Sequence, residues 1–129
     1  MQFNKEYEVL FFIANSELQL VEKNLFDHEI RKEILLFHLQ QSTEKFLKSL
    51  LSYKGIEFPK VHDIAKIIEL CQNNSIELPD FVEELIDLNP FAVEFRYSII
   101  IEEQLDLQFY FNKVVKLKNY IGNFIGINF

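Results

Sequence analysis

Arg31, His38, Ser42, Lys45 and Ser49, with Gln41 beside them, bring together a guanidinium, an imidazole, an amine, two hydroxyls and an amide within one short stretch. At 100° per residue they fall in a narrow arc of a helix, while the neighbouring leucines and Phe46 face elsewhere. Such a stripe fits the solvated face of an amphipathic helix, one wall of a polar groove, or a subunit contact. Two other pairs have the residue types for binding chemistry. His62-Asp63 fits a binding pair, or a helix cap beside a histidine–carboxylate hydrogen bond. Arg96-Tyr97 fits a nucleotide pocket, with Arg on phosphate and Tyr stacked on a base, or a structural Arg paired with Glu44, Glu94 or Asp63.

Other chemistries find little support. No three residues show metal-ligand spacing, so no metal and no cofactor is expected. There is no glycine-rich phosphate loop. Glu83-Glu84 and Glu102-Glu103 are adjacent pairs that point to different faces, so neither reads as a carboxylate dyad. Cys71, the one cysteine, lies on an apolar stripe and reads as core. The net charge of −7 opposes broad nucleic-acid binding and adsorption to an anionic membrane. A lone cysteine, the absence of a leader pattern and the absence of a transmembrane-length apolar run lead to the expectation of a cytoplasmic protein.

The elements that must position these residues are helices. Of the 129 residues, 49% are hydrophobic and 14 are Phe, enough for a core without disulfide or metal. Phe3, Tyr7, Leu10, Phe11, Ala14, Leu18, Val21 and Leu25 form a helical stripe. A break is expected near Phe26-Asp27-His28, with Asp27 as the next N-cap. A central helix is expected over about 29–53, ended by Gly55, and a connector with Pro59 leads to a third helix starting at His62-Asp63. There Ile64, Ile67, Ile68 and Cys71 form one face, closed by Asn73-Asn74-Ser75. A fourth helix starts at Pro79, burying Phe81, Val82, Leu85 and Ile86, and is broken or kinked at Asn89-Pro90. After a short segment at 91–97, a last helix spans about 102–120, and Gly122 and Gly126 loosen its end. The expected fold is all-α: an antiparallel bundle of about five helices in one domain, 1–129.

Three segments in order resemble the HEPN family of small helical proteins. His38, Gln41, Ser42, Glu44, Lys45, Leu47 and Lys48 follow its H-x-x-Q-A-x-E-K-x-L-K helix, with Ser42 where Ala is frequent. Gly55, Pro59, His62, Asp63 and Ile64 follow its G-x-x-x-P-x-x-H-D-[LI] connector. Ala92, Arg96 and Tyr97 follow its A-x-x-x-R-Y-P segment, with Ser98 in place of Pro. The resemblance implies a homodimer, often paired with a minimal nucleotidyltransferase that the helical subunit completes or neutralises, as in toxin–antitoxin pairs. The other role that the resemblance implies is to help hold the partner's nucleotide. The groove for nucleotide or partner would comprise His38, Gln41, Ser42, Lys45, His62, Asp63, Arg96 and Tyr97. Phe124 and Phe129 would supply a hydrophobic subunit contact or fold back on the core.

Many HEPN ribonucleases carry Arg, four to six residues, then His in the C-terminal half. After Arg96 the corresponding positions are Ile101, Glu102 and Glu103, and no histidine follows His62. Metal-independent RNA cleavage uses His as general acid or base and Arg against the developing phosphate charge. A non-nucleolytic binding or regulatory subunit is therefore expected ahead of a ribonuclease toxin or a free-standing nucleotide-binding dimer. Arg31 and His38 match the spacing, but in a different helix.

Overall fold

The computed structural model describes residues 5–93 and 105–127. Four α-helices, α1 (Glu6–Asn24), α2 (Lys32–Tyr53), α3 (Ile64–Asn73) and α4 (Leu107–Ile125), are joined by a 3₁₀ segment, Asp80–Val93. No strand occurs among the described residues. The all-α expectation of about five helices holds.

The first helix buries Phe11, Ala14, Leu18 and Val21, the stripe that its three- and four-residue spacing requires. It runs antiparallel to α2, so that Ala14 lies by Ser42 and Tyr7 by Ser49. α2 is the central element. It packs against α1, α3, α4 and the 3₁₀ segment, and from Phe46 to Leu51 every residue is buried. Six core leucines, Phe46 and a set of small or paired polar residues let it meet neighbours all round.

Several boundaries differ from expectation. Asp27 caps no helix. Its carboxylate accepts from Glu29 N–H in a turn, and α2 begins only at Lys32, after Arg31. Pro90 does not stop its element, because the 3₁₀ run passes through it to Val93. Val82, Leu85, Leu88 and Phe91, spaced by three, are all fully buried, which is the periodicity of three residues per turn. The last helix is capped by Asp106, which accepts from the N–H groups of Gln108 and Phe109, and it continues past residue 120 to Ile125. Gly122 does not loosen that helix. A Cβ there would sit 2.7 Å from the Ile127 carbonyl oxygen and 3.3 Å from Phe11, so the missing side chain permits the Ile127 backbone to fold back over the helix end and Phe11 of α1 to pack close. Gly126 takes φ 77°, the left-handed C-terminal stop.

Candidate functional site

The polar stripe of α2 turns toward α1, and Ser42, Lys45 and Ser49 are joined to that helix by hydrogen bonds. Ser42 Oγ donates to the Ala14 carbonyl at 2.8 Å and Ser49 Oγ to the Tyr7 carbonyl at 2.9 Å. Both serines are fully buried. Two small residues seven apart let the backbones approach, and each hydroxyl finds a carbonyl, so burial leaves no orphaned donor. Nearer the edge of this seam, Lys45 Nζ donates to Glu17 Oε2 at 3.1 Å and to Gln41 Oε1 at 3.2 Å. His38 Nδ1 lies 3.7 Å from Glu17 Oε1, in ion-pair range but beyond hydrogen-bond reach.

The opposite face of α2 carries a second polar set. Glu33, Gln40, Glu44 and Lys48 are all buried. Glu44 is its hub: Lys48 Nζ donates to Oε1 at 2.7 Å and Gln40 Nε2 to Oε2 at 3.1 Å. His62 Nδ1 stands 2.9 and 3.1 Å from the two oxygens. Lys48 also donates to the Val61 carbonyl at 3.1 Å and lies 5.7 Å from the centre of the Phe58 ring. A buried carboxylate is tolerable only with such a complement of donors, two of them able to carry positive charge. Glu33 pairs with Arg31, leaving its Oε2 without a hydrogen bond among the described residues.

Gln41 joins the two faces. Its amide nitrogen donates to Gln40 Oε1 at 2.7 Å while its oxygen accepts from Lys45. A continuous chain of hydrogen bonds thus runs from Glu17 on α1 through Lys45, Gln41, Gln40 and Glu44 to Lys48 and His62.

Asp63 and His62 part company. Asp63 caps α3, accepting from the N–H groups of Ala65 and Lys66. Asn89 Nδ2 also donates to it at 2.9 Å, and Asn89 Oδ1 accepts from Ile64 N–H at 2.9 Å. Thus His62 ties the connector to α2, and Asp63 ties α3 to the 3₁₀ segment. The His62 side chain is 60% exposed, whereas Ser42 has no contact with solvent. The structure brings His38, Gln41 and Lys45 together at one edge of α2, and His62 to the other face. Arg96 and Tyr97, with Glu94, Glu102, Glu103 and Phe129, lie outside the described residues. Phe124 is 39% exposed, with Lys54 Nζ 5.0 Å from its ring centre and Tyr53 edge-on at 6.1 Å.

Gln40 and the buried role of Glu44 were missed from sequence. The signal was present in the i, i+4 series Gln40, Glu44, Lys48, which shares a helix face. Cys71 is fully buried, and desolvation pushes its thiol up to about 12, so it stays protonated at neutral pH. Burial, with the hydrogen bond to Asp87 at 2.6 Å, also raises the Tyr110 phenol. Among the described residues no group of three His, Cys, Asp or Glu is placed to hold a metal, and no helix is long and apolar enough to cross a membrane.

The HEPN domain model matches residues 7–123, and the chain belongs to the HEPN domain family. No curated protein and no solved structure gives a match.

Proposed function

We propose that this protein is a non-catalytic HEPN subunit that acts as a homodimer and binds a minimal nucleotidyltransferase, in the manner of a toxin–antitoxin pair, with a nucleotide held between them. The observation that supports this is what the histidines do. His38 faces Glu17, His62 is held by Glu44, and no histidine follows Arg96. Phosphodiester cleavage needs a base beside a phosphate site, and the carboxylates next to His38 and His62 repel phosphate. Arg31, which has the ribonuclease-like spacing to His38, is paired instead with Glu33.

The edge formed by His38, Gln41 and Lys45 is half-buried and polar, which suits a contact that opens and closes more than it suits chemistry. Arg96 and Tyr97 supply the phosphate and base contacts in this reading. The test is the purified chain incubated with single-stranded RNA in chelator. The RNA is expected to remain intact. Cleavage by the wild type that disappears in Arg96→Ala or His38→Ala would establish the ribonuclease alternative instead.

A further inference from the structure

The 3₁₀ segment buries Val82, Leu85, Leu88 and Phe91 and turns its other residues outward. Side chains three apart eclipse one another in such a helix, so two outward ridges form, Asp80-Glu83-Ile86 and Phe81-Glu84-Asp87. Phe81 and Ile86 are half-buried, and the four carboxylates are exposed. Phe109 of α4, 41% exposed, extends the apolar part of this surface. Lys113 of α4 shows what the surface can hold. Its Nζ stands 3.2 Å from Glu84 Oε2, and 4.9 and 5.9 Å from the ring centres of Phe109 and Phe81. An ammonium there gains two aromatic rings and a carboxylate together. Asp87 accepts from the Tyr110 O–H at 2.6 Å. Asp80 and Glu83 have no ion-pair or hydrogen-bond partner among the described residues.

We infer that this aromatic and acidic face docks a basic helix of another protein, with two of its Lys or Arg side chains on Asp80 and Glu83. Charge complementarity selects that occupant. From Glu77 to Asp87 the chain has five carboxylates and no cation, so this stretch carries −5 of the net −7. Such a face repels nucleic acid and anionic membrane, and it attracts a basic protein surface. Three residues of 3₁₀ helix rise ~6 Å, so Asp80 and Glu83 stack like charges on one ridge. Basic residues at i and i+4 of an α-helix are also ~6 Å apart along its axis, so one helix reaches both carboxylates. The aliphatic stems of those side chains then cover Phe81 and Phe109, as Lys113 already does.

This inference rests on the reading of the chain as a binding subunit, and not on its partner's being a nucleotidyltransferase. The probe is a fluorescein-labelled, alanine-based helical peptide with arginines at i, i+4 and i+8, followed by fluorescence anisotropy in low salt. Circular dichroism verifies the fold of each variant. The wild type is expected to bind. Asp80→Asn with Glu83→Gln should weaken binding ~10-fold, and Phe109→Ala ~3-fold. Glu22→Gln with Glu29→Gln removes the same charge from exposed positions elsewhere and should change binding less than ~2-fold. Equal weakening by the two double variants would overturn the surface, because net charge alone would then hold the peptide. A peptide of the same composition with its arginines on opposite faces, bound as tightly, would overturn the helical occupant. A wild type that binds no peptide would overturn the whole inference. Each of these results leaves the binding-subunit reading to the RNA test above.

Discussion

The Glu44 carboxyl sits in a place with almost no water, and three hydrogen-bonding partners make that tolerable. Removing it strands the Lys48 ammonium, itself buried, so Glu44→Ala is expected to cost about 3 kcal/mol in urea unfolding. His62→Ala should cost about 1 kcal/mol or less, because that imidazole remains largely in solvent. Equal losses for the two would contradict the hub assignment. Cys71 makes a separate prediction. In the unfolded chain its thiol ionises near 9, whereas in the fold it does so only near 12. The unfolded state therefore releases its proton first, and stability falls as pH rises from 9 toward 12, by up to ~1.4 kcal/mol per pH unit. Tyr110, also raised, adds to the fall above pH 10. Unfolding free energies measured across that range should flatten in Cys71→Ala. The same burial predicts that native protein resists thiol reagents that label the unfolded chain.

At the scale of elements, the joins are made by few atoms. Asp63 holds the first turn of α3 and, through Asn89, the 3₁₀ segment, so Asp63→Ala should cost about 2 kcal/mol, the upper end for a cap. The close approach at Gly122 predicts that Gly122→Ala destabilises by about 1–3 kcal/mol, in spite of alanine's better helix propensity. Thermal melts of the two variants read both effects. Much of this scaffold was legible beforehand. The stripes of α1 and α3, the Gly55 stop and the Asp63 cap follow from local periodicity and capping chemistry, which act over a few residues. What was not legible depends on packing. The 3₁₀ run was read with a helical period of 3.6 from Val82, Leu85 and Ile86, although Leu88 and Phe91 extend a period of three. Gly122 was read as loosening because its close contacts, the Ile127 carbonyl folding back and Phe11 of α1, appear only once the helix end is packed.

Across the whole molecule, the motif segments act as fasteners. The spacing from Glu44 to His62 spans the end of α2 and the connector, and it closes in one hydrogen-bonded pair. The family resemblance was readable in the sequence because its residues stand in order at fixed separations, and in this chain two of them, Glu44 and His62, meet. The direction of the polar stripe was not readable, since helical spacing defines a face but not what covers it. Much of that face proves to be the seam with α1, leaving His38, Gln41 and Lys45 at its edge. The proposed binding role rests on such a tied bundle, in which His38 and His62 stand next to carboxylates. The most direct test is a tagged pull-down from the native host, with the eluate weighed by native mass spectrometry. A complex of this chain with a nucleotidyltransferase in fixed ratio is the predicted result; recovery of the chain alone, as a bare homodimer, would contradict the account.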